Sequence, residues 1–191
     1  MKIAGIDYSL CSPAITVHSG DGFLLSQCKS HYLTDTKKHA TVYSSSGLHC
    51  RGWEYPDWEF HGFGKGEDRY DKISNWAMEL VKDCDLVYME DYALGAKGKV
   101  FNLGENGGLL KWKMWKAGVP YHLVGPTVVK KFASGKGNAD KDKMYEAFVK
   151  ETGANLMKEI SPDSKKVTSP VSDIVDSYFI CKYAYSILLQ N

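Results

Sequence analysis

Lys2–Ser9 reads KIAGIDYS and Asp85–Asp91 reads DLVYMED, two short apolar runs that each close on a carboxylate. Runs of this length bounded by polar residues have the signature of buried strands. The acids, Asp7 and Glu90, are the anomaly, because a lone carboxylate is costly to remove from water. A third stretch, Ser172–Asp176 (SDIVD), places Asp173 and Asp176 three residues apart in a segment with helical spacing. That offset sets the two side chains about 60° apart around a helix axis, close enough to serve one site. Four acids at strand ends and on a helix of an α/β fold converge on a single crevice. Taken singly, each has an ordinary reading as a turn residue, a solvated strand end or helix surface. Taken together, clustered like charges persist where a cation lies between them. Hard oxygen donors with no Cys or His in the set suit Mg²⁺ or Mn²⁺.

Outward from these runs, Pro13–Ser19 and Phe23–Ser26 flank Gly20-Asp21-Gly22, and three strands joined by tight turns predict an antiparallel meander. The stretch His31–Gly66, rich in Ser, Gly, His and Trp, is expected to be a long insertion with little regular structure of its own. Glu67–Lys82 has helical spacing, with Tyr70, Ile73, Ala77, Leu80 and Val81 on one face. Ala93–Asn106 reads as a flexible basic segment, Gly107–Ala117 as a helix and Tyr121–Val124 as a strand. Gly125-Pro126 opens a short helix, and Asn138 is expected to cap another over Ala139–Glu151. Asn155–Thr168 reads as a loop, and Pro170 opens a last helix running to about Leu189. Strands first and βα units after predict one α/β domain over residues 1–191, built on a mixed sheet.

Composition bounds the function. The chain has 191 residues with 24 aromatic rings, enough to exclude disorder, and no apolar run reaches the roughly 20 residues of a membrane span. The five cysteines are odd in number and far apart, so reduced thiols and a cytoplasmic location are expected, with no leader peptide ahead of the first strand. Cys28, His31, His39, His49, Cys50 and His61 crowd one region and offer an alternative metal site, though without the paired spacing of structural zinc. The net charge of +1 hides a strong asymmetry: residues 1–93 carry 9 Lys/Arg against 14 Asp/Glu, and residues 94–150 carry 11 lysines against 4 acids. A middle third this basic points to a polyanionic partner or to a solvated lysine face.

The order GIDYS, a strand ending in MED, and SDIVD on the final helix resembles the ribonuclease H-like nucleases. Within them the chain is similar to RuvC-type Holliday junction resolvases of the bacteriophage-encoded kind. Val129–Met144 (VKKFASGKGNADKDKM) is the most specific part, resembling the family's lysine followed by a Gly-x-Gly-x-Ala-acid-Lys run. The resemblance implies a ribonuclease H-like mixed sheet, three antiparallel strands then parallel ones, flanked by helices. It implies a nuclease that cuts four-way DNA junctions by paired symmetric nicks, for recombination and repair, as a homodimer. Asp7, Glu90, Asp173 and Asp176 would ligate two Mg²⁺ ions, with Mn²⁺ able to substitute. Lys141 would join them in catalysis, and Lys130, Lys131 and Lys136 would bind DNA backbone, as would Lys97 and Lys99.

The family's aromatic wedge, counted from Glu90, falls on Ala93, so Tyr92 and Phe101 are the substitutes, either able to stack on an opened base or simply to pack. Gly107–Ala117, with Leu109, Leu110, Trp112 and Trp115, has apolar surface for the dimer contact. Action on flaps or RNA–DNA hybrid, and a non-catalytic module binding branched DNA, are the alternatives.

Overall fold

The computed structural model describes residues 1–56, 65–92 and 100–189. Its strands are β1 (Lys2–Asp7), β2 (Ala14–Ser19), β3 (Cys28–Thr34), β4 (Val42–Ser45), β5 (Leu48–Glu54), β6 (Leu86–Glu90) and β7 (Tyr121–Val124). Its helices are α1 (Lys65–Val81), α2 (Val100–Lys116), α3 (Pro126–Ser134), α4 (Lys141–Thr152), α5 (Leu156–Ile160) and α6 (Val171–Leu188). One mixed sheet runs in the order β4-β5-β3-β2-β1-β6-β7. β1, β2 and β3 pair antiparallel, β1, β6 and β7 parallel, as the sequence predicts. Among the described residues no helix is long and apolar enough to cross a membrane.

Strand periodicity sorts each side chain to one of two layers. On β1, Ala4 and Ile6 join Val87 and Met89 of β6 in the core beneath α1 and α2. The intervening Ile3 and Gly5 meet Cys181 of α6 on the opposite face. α6 is buried nearly all round, with twelve of its 18 residues inside, so it reads as a central helix rather than an amphipathic one. Its depth depends on Gly5: a Cβ there would lie 2.5 Å from the Ser177 carbonyl oxygen and 2.7 Å from Cys181 Cα. Thr16 Oγ1 is 2.8 Å from both Ser30 and Ser177, so three buried hydroxyls satisfy one another where sheet and helix meet.

Several local expectations are corrected. The third strand is Cys28–Thr34, not Phe23–Ser26, and Leu25–Gln27 forms a 3-10 turn. This strand points Ser30 inward and Lys29 outward, so it lacks the apolar run that marks a buried strand. The stretch from His31 is not irregular: β4 and β5 extend the sheet beyond β3. α2 begins at Val100, so residues 100–106 are helical despite Gly104, while residues 93–99 lie outside the described residues. Asp140, not Asn138, caps α4, its carboxylate accepting from Lys143 N at 2.9 Å. Asn155 caps the short α5 where a loop is expected, accepting from Lys158 N at 3.0 Å.

Candidate active site

Ile6 pairs with Met89 across the parallel β1–β6 ladder, so Asp7 and Glu90 stand next in line on neighbouring strands. Strands lie about 4.8 Å apart, which sets the spacing of these two backbones. Alternation from Gly5 and Tyr88 turns both acids toward α6. Along α6, Asp173, Asp176, Ser177 and Cys181 follow three- and four-residue spacing, the row that faces the sheet. Ser177 and Cys181 sit on β1 and β2, which carries Asp173 and Asp176 over the ends of β1 and β6. The four acids named from sequence therefore lie at the same end of the sheet, within electrostatic reach of one another.

The electrostatics agree with that placement. Burial, then the charges of Asp173, Asp176 and Glu90, push the Asp7 carboxyl well above its usual range, against a smaller opposing effect of Lys141. Burial, then Glu90 and Asp173, push Asp176 up to about 7, with Lys130 and Lys141 opposing. Glu90 is raised by burial, with Lys130 lowering it and Asp173 raising it. Asp173 itself, 8% exposed, is gripped by two hydroxyls. Ser12 Oγ donates to its Oδ2 and Ser172 Oγ donates to its Oδ1 at 2.9 Å. Lys141 Nζ in turn donates to Ser172 Oγ at 3.2 Å.

Among the described residues, no three His, Cys, Asp or Glu side chains stand close enough to form a ready-made metal cage. The donor chemistry nevertheless fits a hard divalent cation: the carboxylates come from two strands and one helix, and burial and neighbouring acids disfavour the ionisation of Asp7, Glu90 and Asp176. A cation between them offsets both costs. Among the described residues the rival cysteine–histidine site does not assemble. Cys28 and Cys50 are buried toward α6, whereas register puts His31 and His49 on the other face of the sheet, and His61 lies outside the described residues.

The lysines divide. Lys130 and Lys141 act on the acids, while Lys131 and Lys136 are exposed on the α3 side and figure in none of those shifts. Lys97 and Lys99 lie outside the described residues. Tyr92 is anchored: its hydroxyl donates to Gly104 O at 3.2 Å and Lys111 lies 4.8 Å over its ring. Phe101 projects freely, 86% exposed. Ser12 and Ser172 are the residues sequence reasoning passes over, since a serine beside an acid is too common to mark a site.

No protein-family model matches the chain, and no curated protein matches it. Among solved structures it is similar to Thermus thermophilus RuvC, with a TM-score of 0.59 and 17% identity over 98% of this chain and 96% of that one. The same protein in complex with Holliday junction substrate gives a TM-score of 0.59 and 18% identity over the same shares. The fowlpox virus resolvase with substrate Holliday junction DNA gives 0.49 and 12% over 100% of both chains. The fold is RuvC-like.

Proposed function

We propose that this chain is a metal-dependent endodeoxyribonuclease that resolves four-way DNA junctions by paired symmetric nicks, as a homodimer with one site per subunit. The observation carrying this reading is the convergence of Asp7 and Glu90, at adjacent parallel strand ends, with Asp173 and Asp176 of α6. These four would hold two Mg²⁺ ions, or Mn²⁺ in their place. Divalent cations bound there lower the pKa of the attacking water and take up charge on the phosphodiester.

The chain's own residues do the rest. Ser12 and Ser172 fix the Asp173 carboxylate from two directions, which sets its free lone pairs. Ser172 also steers Lys141, and with Lys130 this amine offers positive charge to the phosphate as charge gathers on it. Lys131, Lys136, Lys97 and Lys99 would hold backbone, and Phe101, 86% exposed, would be free to stack on an opened base. A symmetric junction calls for two sites related by a two-fold axis. Trp112 and Trp115 on α2, 50% and 72% exposed, give the apolar surface for that contact. Thermus thermophilus RuvC, of the same fold, forms a complex with Holliday junction substrate, which supports branched DNA as the partner.

The test is cleavage of a synthetic four-way junction by wild type and Glu90→Gln, with and without Mg²⁺. Two symmetric nicks, lost in the variant and in chelator, are expected. Cleavage that persists in chelator, or that prefers flaps or RNA–DNA hybrid, overturns the proposal.

A further inference from the structure

Among the described residues, part of the sheet's surface on β3, β5 and β4 is exposed. On the face that α1 and α2 cover at β1, β2 and β6, register places Lys29 and His31 of β3 beside His49, Arg51 and Trp53 of β5. Lys29, His49 and Arg51 are exposed there, as are Val42 and Ser44 of β4. Among the described residues neither Lys29 nor Arg51 enters an ion pair, whereas Lys72 pairs with Asp68 within α1 and Lys113 of α2 pairs with Asp71. Two unpaired cations on adjacent strands, offset by two residues, stand about 8 Å apart from strand spacing and rise.

The cations are also held. The Arg51 guanidinium lies 3.6 Å over the Trp53 ring, and Trp53 Nε1 donates to His31 Nδ1 at 3.4 Å. Burial and the charges of Arg51 and Lys29 lower His31 to about 4, which keeps it a neutral acceptor for that bond. A guanidinium held by its flat face keeps its N–H edge outward, the geometry that engages phosphate oxygens. Next along the chain Arg69 lies 4.3 Å over Tyr55, and both donate to Leu10 O, at 2.6 and 3.4 Å. Leu10 belongs to the loop between Asp7 and Ser12. On this face Leu33, beside Trp53, is fully buried, so the exposed part lies further out, at Lys29, His49 and Arg51.

We propose that this open face of β3, β5 and β4 seats the phosphate backbone of a DNA arm leaving the branch, with Arg51 and Lys29 as its charged contacts and Trp53 as the support that aims Arg51. The proposal rests on the nuclease reading for the identity of its partner. Charge complementarity selects the backbone: the face carries Lys29 and Arg51, and the Asp35 carboxylate beyond it is turned to Arg69 at 3.9 Å.

The test is anisotropy binding of a labelled four-way junction with Ca²⁺ in place of Mg²⁺, across a salt series. Wild type is compared with Lys29→Ala/Arg51→Ala and with Trp53→Ala. The double variant is expected to bind about tenfold more weakly and to lose about 2 from the slope of log affinity against log salt, roughly one per phosphate contact. Trp53→Ala is expected to weaken binding less, with a smaller loss of slope. Far-UV circular dichroism and melting confirm that each variant is folded. Wild-type affinity and slope in a folded double variant overturn this inference alone, and a double variant that changes oligomeric state in light scattering assigns the face to a second copy and also overturns it. A wild-type chain that does not bind junctions overturns the nuclease reading as well.

Discussion

Two regions of one sheet carry charge in opposite ways. At the ends of β1 and β6, four acids are gathered under α6, where burial and their neighbours raise the protonation of Asp7, Glu90 and Asp176. On the outer face of β3 and β5, Lys29 and Arg51 stand in water without ion-pair partners among the described residues. The first arrangement opposes folding and is held by the packing around it. The second costs the fold almost nothing, since an exposed cation keeps its hydration. Buried acids therefore sit where the core is tight, and hydrated cations sit where the sheet was extended.

The largest expected effect on the acid side beyond the four acids is at Lys141. Replacing it with Ala is expected to lower the single-turnover cleavage rate about 10²-fold, the scale for removing one preorganised charge at a transition state. Junction affinity should change far less. A loss confined to affinity would move Lys141 into the class of Lys29 and Arg51 and erase the difference between the two regions.

Gly5→Ala tests whether packing sets the acid site. Its Cβ would collide with the Ser177 and Cys181 backbone, so α6 must lift or β1 must bend. Overpacking of this kind costs about 1–3 kcal/mol. Denaturant unfolding is expected to show that loss, with cleavage impaired even where the protein remains folded. An equally stable, fully active variant would break the link between helix depth and the site.

The smallest effect follows from pH. Folded-state carboxyl values are raised, Asp176 to about 7 from an ordinary 3.8, so the folded chain holds more protons than the unfolded one between about pH 4 and 7. Stability from these groups is present below that window and is lost as pH rises through it. Metal-free protein is expected to gain thermal stability from Asp176→Asn at pH 8 and little at pH 5. Each 1 kcal/mol is worth about 2–4 °C in a chain of this size. An equal gain at both pH values would mean that repulsion is not its source.

How much of this was legible follows from the same contrast. Asp7, Glu90, Asp173 and Asp176 stand out because apolar runs make a carboxylate conspicuous, and the parallel ladder then delivers them together. The β3–β5 region hides for the opposite reason. Its strands alternate Ser30 or Cys50 inward with Lys29, His31, His49 and Arg51 outward, so neither face reads as a hydrophobic stripe. The inward hydroxyl of Ser30 is tolerable only because Thr16 and Ser177 meet it from distant parts of the chain, a satisfaction no local pattern announces. Likewise α2 persists through Gly104, Gly107 and Gly108 because it packs on α1, and Gly107 leaves room for the Tyr92 hydroxyl.

The parallel pairing of Ile6 with Met89 has a wider implication. Because Asp7 and Glu90 take their alignment from the whole ladder behind them, slippage by a single step would not loosen the centre by degrees. It would swing one carboxylate through to the wrong side of the sheet. The constellation is consequently binary, either fully assembled or missing.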